Sequence, residues 1–192
     1  MSQSFRNTNI QFVKQYIPKE REKPLGTSDA VVQALDQFPD LKKNIFTVCN
    51  GDNLYSVNTL NLLKEKRNHP HALISYSWSA FNYEKERISK FAVISMDSKN
   101  NLKDIVEKPD LNIVDSYKDK SGEIGLSMNI FSFTGSKIYS YVKNCPLNKI
   151  RNEISYCWIY RTSRKRKDKP LPPKQGLCNN TDEHLAEGAS LI

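Results

Sequence analysis

At 192 residues, with 38% hydrophobic and 26% charged side chains, the chain has the size and balance of one globular domain with a real core. A formal net charge of +8 invites a nucleic-acid reading. Residues 161–174, however, hold seven basic side chains against one acid, which is +6 and leaves only +2 for the rest. The body is nearly neutral, and a short charged run in a tail is more often a solvated segment than a binding face, so nucleic-acid binding is not expected.

Asn9 to Ile17 alternates weakly and reads as a short strand ending before Pro18. Residues 18–25 form a polar loop. Thr27 is placed to cap a helix whose Ala30, Val31, Ala34, Leu35 and Phe38 share one face until Pro39 stops it. Ile45 to Cys49 has the content of a buried, central strand and runs into the turn Asn50-Gly51-Asp52-Asn53. Val57 to Lys66 reads as a second helix with Val57, Leu60 and Leu63 inward, and Ala72 to Tyr76 as the next strand. Phe91 to Met96 and Leu102 to Val106 flank Asp97 to Asn101, whose Asp, Ser and Asn content suits a hairpin loop. Leu126 to Phe133 is a further strand, Ser136 to Lys143 a further helix, and Ile154 to Tyr160 fits a strand or a short helix. Strands alternate with helices and later pair as hairpins, which predicts an α/β fold with a mixed sheet. Residues 153–192 join the basic run to Pro170, Pro172 and Pro173 and lack a periodic apolar face. They are expected to be largely disordered, leaving 1–152 as the folded domain.

Residues 45–53 are the most informative stretch. A strand ending in a carboxylate puts an acid where open α/β sheets hold ligands. An acid there commonly binds Mg²⁺, a hard cation that shares its oxygen ligands with substrate phosphates. Asp52 is the candidate metal ligand, set against the plain reading of Asn-Gly-Asp as an ordinary turn. Four scattered cysteines without Cys-x-x-Cys spacing, beside only three histidines, suggest reduced structural thiols rather than a zinc site. No apolar run approaches a membrane span, and the start Met1-Ser2-Gln3-Ser4-Phe5-Arg6 lacks a signal-peptide apolar region, so a cytoplasmic protein without a membrane partner is expected.

Three segments in order resemble the sugar-1-phosphate nucleotidyltransferases, also called NDP-sugar pyrophosphorylases. The family's Gly-Thr-Ala-Asp-Ala-Val matches Gly26 to Val31, with Ser28 in place of Ala. Its Gly-Asp-Asn matches Gly51 to Asn53, and its Glu-Lys-Pro matches Glu107 to Pro109. Ser127 to Phe131 is similar to the family strand that follows, and the resemblance covers roughly residues 8–150. It implies a Rossmann-like nucleotidyltransferase fold and attack by a sugar-1-phosphate on the α-phosphate of a nucleoside triphosphate, releasing pyrophosphate. Such transfer is catalysed mainly by positioning and charge neutralisation.

On that resemblance Asp52 holds Mg²⁺ and Lys108 meets the phosphate, which makes both catalytic. Glu107 and Asn129 take sugar hydroxyls, Gln15 reads the base, and Gly26 lets backbone approach the nucleotide. The plainer readings are a surface glutamine, a loop-to-helix glycine, a chance Glu-Lys-Pro turn and an asparagine bonded to a backbone carbonyl. Two family features have no match in these residues: the glycine-rich Gly-x-Gly-Thr-Arg loop that cradles the triphosphate, and a second late acid for the metal. The domain therefore reads as an incomplete nucleotidyltransferase, inactive by itself, or else as a non-catalytic nucleotide- or sugar-phosphate-binding regulatory module. Homo-oligomer formation is compatible with either.

Overall fold

The computed structural model describes residues 2–5, 8–81, 83–97, 102–155, 177–178 and 189–191. The basic run, the proline stretch and most of the Asp97–Asn101 loop lie outside them, as does most of the segment from Ile154 to Tyr160.

Strands β1 (Ser2–Phe5) and β2 (Thr8–Gln11) form a separate antiparallel ribbon, with Ser2 opposite Gln11. β2 stops well short of Ile17. The residues that follow leave the ribbon and lie along the first helix, where side chains replace a strand neighbour. Gln33 accepts from the Tyr16 amide at 2.7 Å and donates to the Tyr16 carbonyl at 3.0 Å, and Gln37 donates to the Lys14 carbonyl at 3.1 Å.

Helix α1 (Thr27–Gln37) buries Ser28, Val31 and Leu35 at helical spacing. Its N-cap is Gly26, one residue before the expected Thr27, because the chain enters at φ 121°, a backbone conformation that only glycine adopts cheaply. Strand β3 (Ile45–Val48) leads through the acidic turn to α2 (Val57–Leu62) and then β4 (His71–Ser77). A hairpin of β5 (Ala92–Met96) and β6 (Leu102–Glu107) follows, then β7 (Gly125–Ser127), β8 (Phe131–Thr134) and α3 (Gly135–Lys143). Two tail strands, β9 (Leu177–Cys178) and β10 (Ala189–Leu191), pair with each other, and β10 also pairs with β4.

The main sheet runs β3-β8-β4-β7-β5-β6. A mixed sheet was expected, yet every ladder among the described residues is antiparallel. The parallel relation survives indirectly: β8 uses Phe131 to Phe133 to pair with β3 on one side and β4 on the other, so those two strands run in the same direction.

Packing divides by face, as the two-residue period of strands requires. On one face Phe131, Phe133, Leu73, Ile94 and Ile105 meet Val31 and Leu35 of α1 and Ile138 and Val142 of α3. On the other, Ala72, Ile74, Tyr76, Val93 and Leu126 are covered by Leu62 and Leu63 and by Ile88 and Val114 from short helical turns.

Two expectations about burial fail here. β3 lies at one edge of the sheet formed by the described residues rather than at its centre, and it is half exposed. Only Phe46 and Val48 reach the core, while Ile45 is 64% exposed. In α2 the inward residues are Thr59 and Leu62, followed by Leu63, whereas Val57 and Leu60 point out. The phase of α2 is set at its start, where the Ser56 hydroxyl accepts from the Thr59 amide at 3.1 Å. No helix among the described residues is long and apolar enough to cross a membrane.

Candidate active site

The segments that carry the residues singled out from the sequence are linked one to the next by contacts, most of them between positions far apart in the chain. The series starts at the acidic turn. Asp52 is exposed, and no group of three or more His, Cys, Asp or Glu able to hold a metal ion occurs among the described residues. Its neighbour Asn53 donates to the Met128 carbonyl at 3.0 Å and to the Tyr55 hydroxyl at 3.0 Å, and Tyr55 donates to that same carbonyl at 2.8 Å. The Asn50 amide closes the group by donating to the Tyr55 hydroxyl at 3.2 Å. Burial raises the Tyr55 pKa, so its hydroxyl stays protonated as a donor. The turn is thereby stapled beside Asn129.

Asn129 sits where β7 passes into β8. Leu73 of β4 is opposite Phe131 and Tyr76 is opposite Leu126, so three steps on β4 match five on the other run. The two extra residues are absorbed with Asn129 at φ 56°. Its side chain is half-buried, beside strands whose register leads on to the next motif: Ser127 pairs with Ala92, and Ala92 pairs with Glu107.

Lys108 follows Glu107 at φ 47°, with its amide donating to the Phe91 carbonyl at 3.1 Å and its side chain exposed. Three non-glycine residues among those described have positive φ: Lys108, Asn129 and Asn152. Strained backbone of this kind costs about 1–3 kcal/mol and concentrates at functional positions. Two of the three are residues selected from sequence motifs alone.

Glu107 does not face an empty site. Its carboxylate is paired with Arg151, which also holds Glu153 at 2.7 Å. The same segment reaches α1: the Ile154 amide donates to the Leu25 carbonyl at 2.7 Å, and the Ser28 amide donates to the Ile154 carbonyl at 3.1 Å. The close approach that Gly26 permits is therefore used by the chain itself, since a Cβ there would lie 2.5 Å from the Ile154 oxygen. Gln15 ends the series. Its amide nitrogen donates to the Gly26 carbonyl at 3.1 Å and to Asp29 at 2.8 Å, so both contacts seen for it are internal.

A groove of about 1040 Å³ lies elsewhere, against the uncovered face of β3 and β8, and holds none of these residues. Arg67 enters it and donates to the Ser132 hydroxyl at 2.6 Å, with burial lowering its pKa.

Residues 2–155 match the profile of the nucleotidyl transferase family. The chain belongs to that family. Among curated proteins none matches it. A crystal structure of apo UDP-glucose pyrophosphorylase has the same fold, at a TM-score of 0.50 and 20% identity, covering 76% of this chain and 51% of its own. The chain thus spans about half the length of that structure.

For a nucleotidyl transferase the sequence reading overlooked Arg151, Ile154 and Tyr55. Arg151 lies in Lys149-Ile150-Arg151-Asn152-Glu153, a polar stretch with no periodic pattern to mark it. Tyr55 follows the acidic motif by only three positions and could have been found as the aromatic hydroxyl nearest to it. Gly26→Ala tests the close approach at α1. The residue stands at φ 121° and ψ −176°, a region restricted to glycine, and the new methyl would strike backbone. A loss of about 1–3 kcal/mol is expected, measured as a lowered urea midpoint with an unchanged slope.

Proposed function

We propose that this chain forms the sugar-phosphate half of a nucleotidyl transferase site. The family reaction joins a nucleoside triphosphate to a sugar-1-phosphate, giving an NDP-sugar and pyrophosphate. In this reading Lys108 meets the sugar phosphate, while Glu107 and Asn129 take ring hydroxyls. Gln15 and Gly26, whose contacts here are internal, would border the nucleotide once the Ile154 segment moves away. The observation that carries it is the left-handed backbone at Lys108, a costly conformation for a lysine, and at Asn129, which follows the Met128 carbonyl that staples the acidic turn.

The donor set fits one mode of metal binding. Mg²⁺ commonly takes one or two carboxylates and completes its shell with water and substrate phosphates. Asp52, exposed and without a neighbouring acid cluster among the described residues, suits that shared mode. A Mg²⁺ ion there would neutralise phosphate charge. Lys108 contributes a fixed cation to the same end, and Asn53 and Tyr55 keep the turn aimed at Asn129.

These 192 residues contain no Gly-x-Gly-Thr-Arg segment. Loss of one preorganised charge-stabilising donor typically costs about 10²–10³ in rate, and a whole cradle supplies several. Binding without turnover is therefore expected of residues 1–192 by themselves, and this favours the regulatory or binding role as the second reading. Titration calorimetry with glucose 1-phosphate and Mg²⁺, beside a pyrophosphate-release assay with each nucleoside triphosphate, tests both points. Sugar-phosphate binding that weakens on Asp52→Ala, with no pyrophosphate released, is the expected result. Absence of binding would overturn the functional reading, and robust turnover would overturn the claim that the cradle is missing.

A further inference from the structure

We infer that residues 148–154 form a latched strap that couples the Glu107 position to the entry of α1, with Arg151 as its positioning residue. The inference rests on the functional reading above for its ligand, but the latch itself stands on geometry. The strap is closed into a loop by the Asn148 amide donating to the Glu153 carbonyl at 2.9 Å. Arg151 holds Glu107 and its own strap neighbour Glu153. The next residue, Asn152, is pinned by Arg21, which donates to its side chain at 2.9 Å and to its carbonyl at 2.6 Å. Two residues on, Ile154 carries the paired backbone bonds to Leu25 and Ser28.

Arg151 can leave Glu107 and keep Glu153, so the arginine stays paired as the strap opens and the Glu107 carboxylate becomes available to a ligand. The Arg21 contacts then serve as the hinge. A ligand whose hydroxyls take the Glu107 carboxylate competes with Arg151 for it. Such a ligand shifts the strap toward the open form by as much as its affinity differs between the two forms, and opening must favour the ligand reciprocally. Opening frees the Ser28 amide at the start of α1. Occupancy at Glu107 is in this way reported to the segment that carries Gly26.

Hydrogen exchange on the full chain tests the latch. Arg151→Gln, Glu107→Gln and the double variant are each expected to speed exchange at the Ser28 and Ile154 amides by about fivefold or more, with β4 and β8 unchanged. The double variant should be no faster than either single one, and Arg151→Lys should restore part of the protection. Glucose 1-phosphate should speed the same two amides in the native chain and have no such effect in Arg151→Gln. Unchanged exchange in the single variants, additive effects in the double, or slower exchange with the sugar phosphate bound would each overturn the latch. If calorimetry shows no glucose 1-phosphate binding, the functional reading fails, and the three variants still decide the latch.

Discussion

Lys108→Gly is expected to weaken glucose 1-phosphate binding roughly 10- to 100-fold while leaving the fold as stable as before, or up to about 1 kcal/mol more stable. The two halves of that expectation have separate causes. The Lys108 side chain is exposed and its ammonium has no packing role, so its removal costs the interaction with phosphate, about 1.5–3 kcal/mol for a hydrogen bond to a charged group. The backbone stands at φ 47°, which a lysine adopts at a cost and a glycine adopts freely. The amide bond to the Phe91 carbonyl at 3.1 Å is retained in either residue. Lys108→Ala separates the effects: it should lose the same affinity and gain no stability, since the methyl keeps the strain. Affinity comes from calorimetry and stability from urea unfolding. A clear loss of stability in Lys108→Gly, or unchanged binding in both variants, would show that the conformation is not kept for the phosphate.

Phe133→Ala should cost about 3–5 kcal/mol of folding stability. Phe133 is 1% exposed, stacks on Phe131 at 5.7 Å, and meets the edge of His71 at 5.6 Å and Phe46 at 6.0 Å. It lies on the sheet face that receives α1 and α3, so truncation removes the side chain that several elements share. A domain of ordinary stability holds only about 5–15 kcal/mol in total, which makes a substantial unfolded population the expected result at moderate temperature. The urea midpoint measures it, with an unchanged slope as the sign that the native state is intact. Ile150→Ala is the control: at 96% exposed it should stay within about 0.5 kcal/mol of the native chain. A loss below about 1 kcal/mol at Phe133 would mean that the cavity collapses, or that this face is less closely packed than its burial indicates.

The sequence legibly contained what depends on local order. α3 was expected over Ser136–Lys143 and occurs over Gly135–Lys143, and the β5–β6 hairpin lies within a residue of its expected limits. The inward face of α1 was readable because a helix buried on one side repeats its apolar residues at intervals that any stretch of sequence displays. Resemblance to the family's motifs, in their order, drew attention to Asp52, Glu107, Lys108 and Asn129 as candidates.

Where β3 lies was decided by tertiary structure. Ile45 to Val48 has the content of a buried strand, but burial depends on what covers each face, and an apolar run does not record its neighbours. For α2, three apolar positions were assigned inward and only Leu63 was buried, because a short helix takes its phase from its cap rather than from a long periodic stripe. The bonds that assemble the site are likewise invisible in sequence. Asn53 to Met128 spans 75 positions, and Arg151 meets Glu107 across two intervening strands and a helix. Such contacts carry no period and no spacing rule; they exist only when the sheet register and the strap have placed their partners within reach. Composition and periodicity thus determined the kinds of element, and the resemblance of three motifs to a known family supplied the candidate chemistry. The tertiary fold alone decided that Gly26 makes room for Ile154 and that Glu107 is held by Arg151, because both depend on bringing together chain segments that are far apart in the sequence.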